Sequence, residues 1–232
     1  MNPTFIGIAK SFLFYTPLRK FFFIRYQHMF NAAQLCYICE SLGKTRDVNG
    51  RVLEVGCYVG SSTLFLNSYM TAESFNKPYT AIDTFEGFTD DDVIYEVKER
   101  KKPRTTISGF SANKKKWFDW TMRTHGHDRV ISVKADVNYY DFSQLGPISF
   151  ALIDVDLYRP ILVSLRAVYK LLSPGGIIVV DDCRENNNVF DGSYYAYLEF
   201  MKELGLEPKI VLGQLGIVHK PNESASVVTE NR

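Results

Sequence analysis

Five short apolar runs, each running out into glycine or aspartate, alternate with helix-patterned stretches between residues 51 and 205. They are RVLEVG (51–56), YTAIDTF (79–85), RVISVKAD (129–136), ISFALIDVD (148–156) and GGIIVVDD (175–182). Strands apolar on both faces need cover on both faces, and a parallel sheet obtains it from the helices that connect its strands. The expected helices are SSTLFLNSYM (61–70), a stretch around 111–126, PILVSLRAVYKLL (160–172) and SYYAYLEFMKELG (193–205). Pro160 suits the first turn of the third of these, and Ser173-Pro174-Gly175-Gly176 follows its end. Asp191 or Ser193 can cap the fourth. PKIVLGQLGIVHK (208–220) predicts two strands around Gly213-Gln214, the closing one antiparallel to its neighbour. The pattern predicts an α/β fold, a doubly wound sheet that is mostly parallel with one antiparallel closing strand.

At 232 residues, 46% hydrophobic and 23% charged, the chain has the size and balance of one large globular domain. A net charge of +1 gives no global pull on nucleic acid, so none is expected as a partner. The aromatic N-terminus is interrupted by Lys10, Pro17, Arg19 and Lys20, so no transmembrane segment is expected, and a signal peptide fits poorly. Two readings of it stay open, helices packing on the domain or on a second subunit, and an interfacial membrane helix. We take the packing reading: residues 1–47 as a helical extension, lid or homo-oligomer contact. Residues 48–220 form the domain, with an insertion at 86–110, and 221–232 form a polar tail.

That insertion, EGFTDDDVIYEVKERKKPRTTISGF, reads as a long charged loop, a candidate lid, its basic run taken as a solvated face. Cys36 and Cys39 form a C-x-x-C with no second pair for zinc, and both are read as helix-core residues. The sparse cysteines suit a reducing, cytoplasmic setting. His125 and His127 are read as exposed turn residues.

In LEVGCYVGSST (53–63) the first strand enters a glycine-spaced turn and then a helix. Gly56 permits the turn, and Gly60 is expected to let the backbone approach a ligand. Tyr58 stands where a dinucleotide fingerprint needs glycine, and there is no Walker lysine. The spacing suits a nucleoside without a pyrophosphate. Glu54 offers a negative charge for a cationic ligand group, Asp83 can accept from ribose hydroxyls, and Asp136 can meet the adenine amino group. A nucleoside with a cationic centre and no phosphate describes S-adenosylmethionine.

The fourth and fifth strands end on Asp154 and Asp156, and on Asp181 and Asp182. One crossover helix joins the two strands, so they are expected as neighbours about 4.8 Å apart. Four carboxylates so close require protonation or a cation, and a hard divalent ion with oxygen ligands, such as Mg²⁺, meets that need. The competing reading neutralises them with Arg159 and Arg184.

The motifs E-x-G-x-x-x-G-S, IDTFEGF, D-x-D-L-Y and L-S-P-G-G-x-x-x-x-D-D, over roughly residues 51–186, resemble the macrocin O-methyltransferase family, which acts on sugars of natural products. The resemblance implies a class I methyltransferase fold, S-adenosylmethionine as donor, a divalent metal (usually Mg²⁺) and a sugar hydroxyl as acceptor. It implies Asp154, Asp181 and Asp182 as metal ligands and Asp156 as general base. Candidate donor-binding residues are Glu54, Gly56, Tyr58, Gly60, Ser61, Ser62, Asp83, Thr84, Asp136, Val137 and Asp154. Leu157 stands where catechol-type enzymes carry lysine, which favours a sugar. Val155, Arg159-Pro160-Ile161 and Cys183 depart from the family pattern on the acceptor side. The expected activity is O-methylation of a sugar or glycosylated small molecule. The alternatives are a phenolic or catechol acceptor, or a non-catalytic module that binds S-adenosylmethionine.

Overall fold

The computed structural model describes residues 3–17, 29–107, 109–185 and 190–222. Among the described residues two helices precede the sheet, α1 (Pro3–Phe14) and α2 (Ala32–Lys44), the second opened by a capping box between Asn31 and Gln34. The domain then runs β1 (Arg51–Val55), α3 (Ser61–Ala72), β2 (Tyr79–Asp83), α4 (Asp90–Lys98), α5 (Lys115–Thr124) and β3 (Val130–Lys134). It continues through β4 (Ile148–Ile153), α6 (Tyr158–Leu171), β5 (Leu172–Val180), α7 (Gly192–Glu203), β6 (Ile210–Val211) and β7 (Leu215–His219).

The seven strands lie in the order β3-β2-β1-β4-β5-β7-β6. All neighbours from β3 to β5 are parallel, while β7 runs antiparallel to both β5 and β6. The order reverses between β1 and β4, and a crevice opens beyond the carboxyl ends of strands at such a switch point. Successive strand residues face opposite sides, which builds two cores. Leu53, Val55, Ala151, Ile153, Ile178 and Val180 meet α6 and α7 on one face, through Ile161, Leu165, Tyr197 and Phe200. Val52, Ala81, Phe150, Leu152, Ile177 and Val179 meet α2, α3 and α5 on the other, through Ile38, Leu42, Met70 and Phe118. Truncating one of the buried leucines, isoleucines or Met70 among them to alanine costs about 2–5 kcal/mol.

Several expectations need correction. The strand β5 begins at Leu172, and a register shift between Ile148 and Phe150 absorbs the Ser173-Pro174-Gly175-Gly176 stretch within it. The edge strand β3 is half-buried, with Ile131 and Lys134 exposed, instead of covered on both faces. The 86–110 segment carries a helix, α4, whose first turn is capped by Thr89 and holds Asp90, Asp91 and Asp92 beside the helix dipole. Its basic run is solvated only in part: Lys98, Lys101 and Arg104 are exposed, while Arg100 and Lys102 are only 14% and 15% exposed and both pair with Asp191. Cys36 is exposed, and only Cys39 of that pair is buried. His127 is buried against α3, with Ser68 Oγ 3.2 Å from its Nε2. Among the described residues no helix is long and apolar enough to cross a membrane. Residues 18–28 of the N-terminal extension and 223–232 of the tail lie outside the described residues.

Candidate active site

A cavity of about 290 Å³ opens at the carboxyl ends of β1, β2, β4 and β5, the size of a small ligand pocket. The turn after β1 forms one wall. Gly56 at φ +83° packs so tightly on the Asp154 carbonyl that any Cβ would overlap it. Gly60 at φ +90° opens α3, but its close neighbours are Phe118 and Met122 of α5, where a Cβ would lie 2.8–2.9 Å from them. Gly60 therefore serves helix packing, and it is not among the residues that line the cavity.

Glu54 also departs from expectation. Its carboxyl is fully buried and does not line the cavity. The hydroxyls of Ser62, Thr63 and Tyr79 donate to it at 2.5, 2.5 and 2.7 Å. Burial pushes its pKa up, and these three hydroxyls oppose the rise. Glu54 reaches the cavity only through Ser62, which does line it.

Asp83 does line the cavity, and its oxygens are already busy with backbone. The amides of Cys57 and Tyr58 donate to Oδ2 at 2.9 and 2.8 Å, and the amide of Phe85 donates to Oδ1 at 2.6 Å. Asp83 thus locks the glycine-rich turn to the end of β2, leaving about one lone-pair direction for a ligand. At the end of β3, Asp136 accepts from the backbone and side-chain amides of Asn138, each at 2.9 Å. Gly56, Tyr58, Ser61, Ser62, Thr84, Asp136 and Val137 all line the same cavity.

The opposite wall comes from the turns after β4 and β5. Asp154, Asp156, Asp181 and Asp182 all face the cavity from these adjacent strands. Asp156 and Asp182 hold left-handed backbone at φ +58° and +56°, as do Tyr58 and Phe110 on the same cavity. Non-glycine residues rarely adopt this geometry, and it gathers where side chains must be aimed.

Burial pushes the Asp154 and Asp156 carboxyls well up, and the neighbouring aspartates add to the rise. Asp181 is raised to about 6, first by burial and then by Asp182, against the amide of Gln214 that donates to it at 2.6 Å. Burial raises Asp182 as well, while Arg184, 3.9 Å away, opposes it. Arg159 pairs instead with Asp92, so only one of the two expected arginines reaches the cluster. Among the described residues no three His, Cys, Asp or Glu side chains are arranged as a metal-binding group. The chemistry of the donor set still fits a hard divalent ion, since it is all oxygen and mutually repelling.

The sequence reading missed several cavity residues. Phe88 and Phe110 come from the insertion, stacked edge-on with ring centroids 5.4 Å apart, and Tyr58 meets Phe110 at 5.1 Å. Met29 and Phe30 enter from within the N-terminal extension, just before α2. Asp92 of α4 is buried at the cavity wall, where Asn138 Nδ2 donates to it at 2.9 Å. The acid run before an apolar pair in TDDDVI was the one available signal for it.

A family model described as a methyltransferase domain matches residues 53–183, more than half of the chain. Among solved structures, the O-methyltransferase NovP is similar at a TM-score of 0.68 and 14% identity, over 85% of this chain and 84% of that one. CalS11, titled a TDP-rhamnose 3'-O-methyltransferase of calicheamicin biosynthesis, is similar at a TM-score of 0.58 and 19% identity, over 94% and 95%. A protein titled a putative caffeoyl-CoA O-methyltransferase from Staphylococcus aureus gives 0.55 and 14%, over 90% and 98%. No curated protein matches. The seven-stranded sheet and the matched span together assign the chain to the methyltransferase-domain family, with the class I methyltransferase fold.

Proposed function

We propose that the protein is an S-adenosylmethionine-dependent O-methyltransferase whose acceptor is a hydroxyl of a sugar or glycosylated small molecule. The observation that carries this reading is the meeting, in one cavity, of the glycine-rich turn and the four aspartates of the β4 and β5 tips. The turn suits a donor nucleoside, and the aspartates suit a vicinal diol. Aromatic rings at Tyr58, Phe88 and Phe110 give an apolar wall on which a sugar face can pack and from which water is excluded. NovP and CalS11, similar in fold, carry titles of O-methyltransferases, the latter acting on a rhamnose nucleotide.

Donor-binding roles fall to Gly56, Tyr58, Ser61, Ser62, Asp83, Thr84, Asp136, Val137 and Asp154, with Glu54 and Gly60 acting behind them. Asp154, Asp181 and Asp182 would hold a divalent ion such as Mg²⁺. Such an ion lowers the pKa of a hydroxyl it chelates. The acceptor oxygen attacks the sulfonium methyl in line, the carbon–sulfur bond breaks, and S-adenosylhomocysteine leaves. Asp156 takes the hydroxyl proton from its place on the cavity wall. Leu157, buried at the start of α6, supplies no competing base beside it.

Transfer of labelled methyl to a panel of rhamnosides, other glycosides and catechols tests this reading. Methylation of a sugar hydroxyl is expected. Methylation of catechols alone would overturn the acceptor assignment, and absence of donor binding would overturn the activity.

A further inference from the structure

Helix α4 buries two side chains, and both are acids: Asp92 at 4% and Glu96 at 2% exposed. Four residues apart, they share one face, where a surface helix normally presents an apolar stripe. Buried carboxylates persist only when hydrogen-bonded, so their partners indicate what the helix is for. Asp92 faces the donor end, bonded to Thr89 and Asn138. Glu96 faces the other end. Its Oε1 accepts from the backbone amide of Tyr158 at 2.9 Å, and its Oε2 accepts from Arg100 Nε at 2.8 Å.

Tyr158 is the first residue of α6, and the cap residue Leu157 offers no side-chain hydrogen bond. Glu96 therefore supplies the missing N-cap from 62 residues away, with its charge at the positive end of the helix dipole. Two residues before Tyr158 stands Asp156 in left-handed backbone, the conformation a side chain leaves soonest when its surroundings loosen. The Asp156 carbonyl accepts from Ser193 Oγ at 3.3 Å, in the first turn of α7. The α7 cap residue, Asp191, accepts in turn from Arg100 Nη2 at 2.5 Å and from Lys102 Nζ at 2.6 Å. Both helices that flank Asp156 are thus tied to the insertion through Glu96 and its partner Arg100.

We propose that Glu96 is a positioning residue: by capping α6 and holding Arg100 against the start of α7, it fixes Asp156 in the conformation that faces the cavity. This rests on the reading of Asp156 as the base. An ordinary structural anchor would affect all steps alike, whereas a positioning residue affects turnover and spares donor binding.

Hydrogen exchange and steady-state kinetics on the full chain test it with two variants. In Glu96→Ala, exchange at the Tyr158 amide rises at least about 10-fold, while amides of β1 and β2 stay protected. Its kcat falls about 10- to 100-fold, with KM little changed and the S-adenosylmethionine dissociation constant within about 3-fold of wild type. Glu96→Gln keeps one acceptor oxygen for the Tyr158 amide but turns its amide nitrogen toward Arg100, so it recovers the protection at Tyr158 and only part of kcat. Unchanged exchange in Glu96→Ala, or exchange at Tyr158 as fast in the Gln variant as in the Ala variant, overturns the proposal. The exchange readout needs neither donor nor acceptor, so it decides whether Glu96 caps α6 even if wild type binds no S-adenosylmethionine, which separates failure of the cap from failure of the methyl-transfer reading.

Discussion

Along the ends of β1, β2 and β3, the acids Glu54, Asp83 and Asp136 are occupied by donors of the chain itself: three hydroxyls, three backbone amides and the two amides of Asn138. At the tips of β4 and β5, four aspartates face one another. Among the described residues the partners of their carboxyls are few: Gln214 on Asp181, a hydrogen bond between Asp156 and Asp182 themselves, and Arg184 3.9 Å from Asp182. Both sets stand at the same edge of one sheet, yet the first is finished and the second is not. The first set builds the shape of a nucleoside site. The second holds unrelieved charge, which is the condition for binding a cation or handling a proton.

The largest effect that separates the two sides is expected on chemistry. Asp156→Asn should lower turnover by about 10²- to 10⁴-fold, as loss of a general base does, with donor affinity nearly intact in calorimetry. A parallel loss of donor affinity would merge the two sides into one binding device. On the finished side, Asp83→Ala leaves three backbone amides without their acceptor. Donor affinity should fall about 10- to 100-fold and unfolding free energy by about 1–3 kcal/mol, read by titration and by urea denaturation.

The unfinished side should also show itself in stability against pH. The Asp181 carboxyl has a folded pKa of about 6, above its ordinary 3.8, so the folded state binds the extra proton between those values. Its contribution is fully present below about pH 4 and lost as pH rises through about 6. Without divalent ions the melting temperature should therefore fall by several degrees between pH 4.5 and about 7. Asp181→Asn should flatten that fall, and Mg²⁺ should raise the melting temperature at pH 7 more than at pH 5. A flat profile in wild type would mean the cluster carries no such strain. The smallest effect is expected at exposed Cys36, where Cys36→Ser should change stability by less than about 0.5 kcal/mol.

The comparison also marks what was readable in the sequence. Strands such as ISFALI and IIVV announce themselves as short, almost wholly apolar runs, the second entirely β-branched, and glycine spacing announces the turn after β1. Which acids would face the cavity was readable because strand ends share an edge. What those acids touch was not. Glu54 looks like a ligand for cations until Thr63 and Tyr79, 9 and 25 residues on, close over it. Helix α4 escaped notice because its buried face is Asp92 and Glu96, so no apolar period marks it. His127 was misjudged for a similar reason, since its packing partner Ser68 lies on another element. The left-handed turns at Asp156 and Asp182 leave no signal in residue type, because aspartate is common in ordinary turns.

Calorimetric titration with S-adenosylmethionine and then Mg²⁺, on wild type and on Asp181→Asn, tests the division between the two sides most directly. The account predicts donor binding in both proteins and Mg²⁺ binding in wild type alone. Donor binding without any Mg²⁺ binding in wild type would contradict the assignment of the β4 and β5 aspartates, and no donor binding would contradict the nucleoside site itself.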